Sequence, residues 1–84
     1  MKFWFIEVLE GGNSLYLCGT GVLSSNRDDC LKYDLNKPAE KAECIADYEY
    51  LESQGYNASI NASESPRFTG HSVRARLEYR EAAE

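Results

Sequence analysis

The chain has 84 residues, 43% of them hydrophobic and 12% aromatic, a composition too apolar for a disordered chain. We expect one domain over residues 1–84 that buries about 60% of the surface its unfolded form exposes, which leaves no room for a large internal cleft. Fourteen acidic residues against nine basic ones give a formal net charge of −5, and this excess disfavours binding to nucleic acid or to an anionic membrane at long range.

The N-terminal third of the chain predicts a β-hairpin followed by a loop. Residues 3–9 are rich in aromatic and β-branched types, and Gly11-Gly12 supplies the positive-φ positions of a tight turn into residues 15–18. Residues 19–29 are rich in Gly, Ser, Asn and Asp, which indicates a loop, and residues 30–33 fit a short third strand. The apolar run at the N-terminus is only four residues long, so we expect neither a signal peptide nor a membrane span, and a cytoplasmic location.

A helix is predicted over residues 37–54. Asn36 is the expected N-cap, Pro38 suits the first turn, and Gly55 suits the position just past the end. The acidic side chains cluster on one side of the helical wheel, so we expect that side to face solvent and Ile45 to face inward. This acidic stripe consists of Glu40, Glu43 and Asp47, with Tyr50 beside it.

Two further strands are predicted after the helix, because apolar and polar residues alternate there. The first covers residues 56–62 and the second covers residues 73–80, with an exposed connection over residues 63–72 between them. Residues 81–84 form a polar tail that we expect to fray. The predicted order is β-β-(β)-α-β-β, an α+β fold in which a small antiparallel sheet of four to five strands carries one helix on a face.

The sequence contains few groups suited to catalysis or metal binding. His71 is the only histidine, and it follows a glycine in the predicted connection, so we expect a solvated loop residue. Cys18, Cys30 and Cys44 are odd in number and lack the short spacing of zinc sites, which favours reduced thiols over a disulfide framework. Common phosphate-binding and hydrolase motifs are also missing from the sequence. We therefore expect no enzymatic activity, no cofactor and no metal.

Acidic residues provide the first candidate surface for partner binding. The acidic stripe, together with the loop pair Asp28 and Asp29, can engage an Arg- or Lys-rich partner or imitate the phosphate spacing of DNA. The alternative for such a stripe is an ordinary solvated helix face. The four arginines within residues 67–80 are expected to pair with the chain's own acids in preference to single-stranded nucleic acid.

The first strand provides a second, apolar candidate surface. Phe3 and Phe5 point to one side of this strand, whereas Trp4 and Ile6 point to the other, so both of its sides are apolar. The helix can cover only one of them. The side with Phe3 and Phe5 is therefore either an interface, including one within a homodimer, or a surface covered by the loop over residues 19–29.

In size, acidity and layout the chain resembles the small accessory proteins of bacteriophages and mobile elements, anti-CRISPR proteins among them. The residues that carry this resemblance run from Pro38-Ala39-Glu40-Lys41-Ala42 to Gly55-Tyr56, a helix that ends in Gly-Tyr before a strand. The resemblance implies a stoichiometric inhibitor that binds a CRISPR surveillance complex or its nuclease. Such inhibitors often place an acidic surface in a site meant for nucleic acid.

These observations lead to a non-enzymatic inhibitor that binds a larger host protein or ribonucleoprotein complex through a basic surface of that partner. Segregated charge without catalytic groups is the motive for this hypothesis. An immunity protein that neutralises a toxin is one alternative, and a self-assembling structural subunit that uses the face with Phe3 and Phe5 is another. The sequence does not decide among them.

Overall fold

The computed structural model describes residues 3–19, 21–63, 71–73 and 76–79. Six strands and one long helix account for most of these residues, which confirms the predicted α+β class. The elements are β1 Phe3–Glu10, β2 Asn13–Gly19, β3 Val22–Ser24, β4 Leu31–Asp34, α1 Pro38–Ser53, β5 Asn57–Ser63 and β6 His71–Ser72.

Strand β1 is the centre of the sheet. Strand β5 runs antiparallel along one of its edges, from the pair Phe3 and Ser63 to the pair Leu9 and Asn57. The other edge is shared, because β2 pairs with residues 7–10 of β1 and β4 pairs with residues 3–4. Strand β3 extends the sheet beside β2, and β6 pairs with β4 in parallel. The sheet is therefore mixed and curled, although its other pairings are antiparallel as predicted.

Helix α1 begins and ends close to the predicted residues. Its N-cap is Lys37, which makes no side-chain capping bond, so the assignment of Asn36 was wrong. The backbone of Asn36 is engaged in the preceding turn, where its N–H donates to Oδ1 of Asp34 at 2.9 Å. At the other end Gly55 has φ +88°, and the N–H of Tyr56 donates to the carbonyl of Leu51 at 3.1 Å. This closure is the glycine-dependent ending that the sequence predicted.

The core lies between α1 and one face of the sheet. Ile6 and Val8 contribute to it from β1, and Tyr33 contributes from β4. Cys44 and Leu51 are the apolar side chains that the helix buries there. Trp4 and Ile60 are partly buried at the margin of this cluster. The alternation of β1 and β5 thus places one apolar row of each strand under the helix.

The strand predicted over residues 73–80 was wrong. Strand β6 ends at Ser72, and residues 76–79 are helical. The N–H groups of Arg76 and Leu77 both donate to the carbonyl of Val73. Val73 and Leu77 are four residues apart, so a helical turn also places them on one side, and both pack on the core. Alternation of apolar and polar residues over so short a segment is compatible with a strand or with a helical turn.

The remaining predicted elements have mixed outcomes. The strands expected over 30–33 and 56–62 are confirmed as β4 and β5. Strand β3, only three residues long, lies within the segment predicted as a loop. The predicted tail over 81–84 and most of the predicted connection lie outside the described residues. In the part of the chain that the structure describes, no helix has the length and apolar character needed to span a membrane.

Candidate protein-binding surface

The acidic stripe of α1 was predicted to face solvent, but its three carboxylates are buried or half-buried. Glu40 is only 2% exposed, and its Oε1 accepts a hydrogen bond from the backbone N–H of Asp34 at 3.1 Å. Nζ of Lys37 lies 3.9 Å from Oε2 of the same carboxylate. A carboxylate with these contacts ties the start of the helix to β4. Glu40 is therefore a structural residue with little surface to offer a partner.

The other two carboxylates of the stripe bind an arginine of this same chain. Oδ2 of Asp47 accepts hydrogen bonds from the Tyr33 hydroxyl at 2.6 Å and from Nη2 of Arg76 at 2.6 Å. Oε1 of Glu43 lies 3.1 Å from the same Nη2 atom. Because Tyr33 is fully buried, burial and the bond to Asp47 raise the pKa of its hydroxyl above the usual range. The carboxylates thus satisfy buried and half-buried donors.

Helix α1 is rotated relative to the orientation predicted from its charges. Ile45, expected in the core, is 41% exposed, whereas Cys44 and Leu51 are buried. Tyr50, at the edge of the stripe, is exposed, and its ring lies beside Gly21, where a β-carbon added to the glycine would be 3.8 Å from Cε1 of the tyrosine. Of the four helix residues expected to form a surface, Tyr50 is therefore the most accessible.

The aromatic side of β1 is largely covered by residues of the chain itself. Phe5 is 7% exposed. The guanidinium carbon of Arg27 lies 5.0 Å from the centroid of its ring, and the ring of Tyr16 lies 6.1 Å away. Phe3 is half-buried, with Nζ of Lys32 at 5.0 Å from its ring. The contact with Arg27 agrees with the alternative in which the segment 19–29 covers this side.

A short 3₁₀ turn, Arg27–Asp29, carries the two exposed carboxylates Asp28 and Asp29. Oδ1 of Asn26 accepts a hydrogen bond from the N–H of Asp28 at 3.0 Å. The hydroxyl of Ser24 makes two hydrogen bonds to residues 26–29. It donates to Oδ2 of Asp29 at 3.0 Å and accepts from the N–H of Asn26 at 3.1 Å. We refer to residues 26–29 as the acidic turn.

Arg27 also belongs to the acidic turn, and its guanidinium points away from the two carboxylates toward the sheet. Its guanidinium stacks over Phe5, and Nη2 donates to Oγ of Ser63 at 3.5 Å. The guanidinium is thus directed toward the sheet, although Arg27 as a whole is exposed, as Asp28 and Asp29 are. Composition alone did not reveal this separation, although an Asn two residues before Asp28 is a local signal for such a turn.

The thiols and the histidine do not form a chemical centre in the described residues. Burial raises the pKa of Cys30 to about 11 and that of Cys44 to about 12, so both thiols stay protonated at neutral pH. Cys18 is half-buried, and its Sγ lies 3.4 Å from the carbonyl oxygen of Val22. His71 is exposed on β6. Within the described ranges, no group of three His, Cys, Asp or Glu residues is placed to hold a metal ion.

The acidic turn is therefore the candidate site that the geometry singles out. It combines accessible charge with a backbone fixed by side-chain hydrogen bonds. Comparisons with protein-family models, with curated proteins and with solved structures found no match to this chain.

Proposed function

We propose that this chain is a non-enzymatic inhibitor that binds a basic surface of a larger protein or ribonucleoprotein complex through its acidic turn. The observation that carries the proposal is the pair of exposed carboxylates on a hydrogen-bonded turn whose arginine stacks on the sheet. Arg27 lies over Phe5, while Asp28 and Asp29 are exposed on a turn fixed by Ser24 and Asn26. Two carboxylates held in this way suit Arg or Lys side chains, or the positions of nucleic-acid phosphates.

The hydrogen bonds within the acidic turn support binding. A loop that is already ordered loses less conformational entropy when a partner contacts it than a mobile loop does. The three hydrogen bonds among Ser24, Asn26, Asp28 and Asp29 provide that order. The net charge of −5 adds a long-range attraction to basic partners, which raises the rate of association.

The state of the thiols supports a binding role over a catalytic one. Cys30 and Cys44 are buried and protonated at neutral pH, whereas a nucleophilic thiol needs a lowered pKa and access to its substrate. The buried carboxylate of Glu40 and the half-buried carboxylate of Asp47 hold the fold together through bonds to Asp34, Tyr33 and Arg76. Titratable groups in these positions stabilise the structure.

The specific form that we propose is an inhibitor of the anti-CRISPR type, acting in the cytoplasm of a bacterial host. Support for this form comes from the resemblance of residues 38–42 and 55–56 to small phage accessory proteins. In this proposal the acidic turn occupies a groove of a CRISPR effector complex that otherwise holds nucleic acid, and the chain itself binds no nucleic acid. The acidic stripe has no part in it, because its carboxylates face the core and Arg76.

The test uses purified CRISPR effector complexes of several types and measures the binding of target DNA to each. We expect the chain to block one of them at a one-to-one ratio. Replacing both acids, Asp28→Asn with Asp29→Asn, should slow association about tenfold at low salt, because electrostatic attraction acts mainly on the association rate. The amide oxygen introduced at position 29 can still accept the bond from Ser24, so the turn is expected to keep its shape.

The matched control removes the same charge elsewhere. Glu10 and Glu49 are exposed carboxylates outside the acidic turn. Glu10→Gln with Glu49→Gln should slow association less than the change in the acidic turn does, most clearly at about 0.15 M salt, where the Debye length is only about 8 Å and a surface charge acts locally. Equal effects of the two double variants would remove the role of the acidic turn. Failure to inhibit any effector complex would refute the anti-CRISPR form, and turnover of a compound by the purified chain would refute a non-enzymatic role.

A further inference from the structure

The outer edge of β5 is a second surface with distinctive chemistry. Among the described strands, only β1 pairs with β5, and the pairing is continuous over seven residues without a bulge. The second edge of such a strand presents backbone N–H and C=O groups that can pair with another strand. Natural edge strands usually oppose this with lysine, proline or a bulge. The sequence of β5, Asn-Ala-Ser-Ile-Asn-Ala-Ser, contains neither lysine nor proline.

The charge of β5 favours a second copy of the chain as the occupant of this edge. Two copies with a net charge of −5 each repel one another at long range. Seven consecutive uncharged residues, in a chain with 27% charged residues, give a contact line where like charges do not face each other directly. A basic or acidic partner would find no complementary charge on this strand.

We propose that two copies of the chain associate through antiparallel pairing of their β5 strands about a two-fold axis at Ile60. In this register Ile60 faces Ile60 of the second copy, Ala58 faces Ala62, and Ser59 faces Asn61. Ile60 shares a face with Ile6 and points toward the helix side, whereas Ser59 and Asn61 share the opposite face with Glu7 and Phe5. Apolar side chains therefore meet apolar ones on one face, and hydrogen-bonding side chains meet on the other.

Helix α1 places a further apolar side chain near the same axis. Glu43 and Asp47 lie on the flank of the helix that contacts Arg76. Arg76 follows β6, which pairs with β4, so this flank faces the β4 side of the sheet. Ile45 lies on the other flank, and the helix packs against β5 as well as β4. Ile45 is exposed in the single chain. In the proposed dimer the two helices lie on the same side of the joined sheet, and their Ile45 side chains approach each other.

The size of this contact predicts weak association. Stable interfaces bury about 800 Å² on each partner, which is more than one short strand and an isolated isoleucine provide. We therefore expect a dissociation constant of about 10⁻⁴ M, with monomers dominating at micromolar concentration. The inference concerns β5 and not the acidic turn, so either proposal can fail without the other.

Sedimentation velocity over a concentration series tests the proposal. The wild-type chain should shift from monomer to dimer between about 10⁻⁵ and 10⁻³ M. Ser59→Lys with Asn61→Lys places lysine opposite lysine twice in the proposed register, and it should abolish the shift. Ser59→Lys with Asn61→Glu places lysine opposite glutamate, and it should bind at least tenfold more tightly than the lysine pair, by about 1.4 kcal/mol.

The outcomes separate the proposal from its alternatives. A wild-type chain that stays monomeric to the highest concentration overturns the proposal, and so do variants that associate equally well or that both lose association. Amide hydrogen exchange of the wild-type chain gives a second measurement that needs no variant. Protection within Ala58–Ala62 should rise with protein concentration, and protection that does not depend on concentration overturns the pairing.

Discussion

Nη2 of Arg76 lies 2.6 Å from Oδ2 of Asp47, and this contact joins the helical residues 76–79 to helix α1. The same oxygen accepts the hydroxyl of the buried Tyr33, so a single carboxylate bonds to residues of two other segments. Both members of the ion pair are largely shielded from water, because their side chains are about one-fifth exposed, at 21% and 18%. Such a pair is more sensitive to the loss of one partner than an exposed surface pair.

Replacement of Asp47 by alanine should destabilise the fold by about 2 kcal/mol, since it deprives the buried Tyr33 hydroxyl of its acceptor and leaves Arg76 with one carboxylate fewer, that of Glu43 remaining. Urea denaturation followed by the fluorescence of the single tryptophan, Trp4, measures the change. Tyr33→Phe should cost only about 1 kcal/mol, because Asp47 keeps its bond to Arg76. The control is Glu49→Ala, an exposed acid on the same helix, which should change stability by less than about 0.5 kcal/mol. Similar losses for Asp47→Ala and Glu49→Ala would contradict a structural role for the acidic stripe.

Two glycines offer a matched test of backbone conformation. Gly55 has φ +88° in the turn that ends α1, so Gly55→Ala should destabilise the fold by about 1 kcal/mol. Gly19 does not have a positive φ, and a β-carbon added there would meet Val22 at an ordinary contact distance of 3.6 Å. Gly19→Ala should therefore be neutral or slightly stabilising. Thermal unfolding followed by circular dichroism distinguishes the two, and a reversed order of melting temperatures would contradict the described end of the helix.

Stability should fall at alkaline pH. Burial raises the pKa of Cys30 to about 11 and of Cys44 to about 12, and the pKa of Tyr33 also lies above its ordinary value. The unfolded chain ionises its thiols from about pH 8.5, so above that pH it binds fewer protons than the folded chain. The free energy of unfolding should consequently be insensitive to these groups below about pH 8.5 and decrease as the pH rises toward about 11.

Urea midpoints measured at several values between about pH 7 and pH 10.5 check this dependence. The variant Cys44→Ala is the comparison, because it removes one of the two buried thiols. It should show a lower stability at neutral pH, since it leaves a small cavity, but a shallower decline with rising pH. A decline as steep as that of the wild type would show that Cys44 does not contribute.

Local patterns in the sequence predicted those elements whose signals lie within the element itself. Pro38 and Gly55 bracket α1 because proline and glycine act through their own backbone. The alternation of β5 was also sufficient, because Ala58 and Ile60 on one of its faces pack on the core. The strand predicted over residues 73–80 was wrong because the spacing of Val73 and Leu77 satisfies a helical turn as well as a strand.

No local pattern in the sequence could predict which side of α1 faces solvent. A cluster of three acids on a helix is normally solvated, and the rule fails here because Arg76 approaches from a segment almost thirty residues further along the chain. Glu40 is also buried, because its carboxylate accepts a hydrogen bond from the backbone N–H of Asp34. In the candidate site, the exposure of Asp28 and Asp29 followed from composition, but the position of Arg27 over Phe5 depends on a contact between distant parts of the sequence.

The central position of β1 has a consequence for the route by which the chain folds. Phe3 pairs with Ser63, sixty residues away in the sequence, so β1 leaves the ribosome well before the strand that completes it. Closing a loop of that length is slow compared with forming the hairpin between β1 and β2. Until β5 arrives, the backbone groups on one edge of β1 are unpaired and its apolar faces are open, and this interval is when the nascent chain is most vulnerable to aggregation.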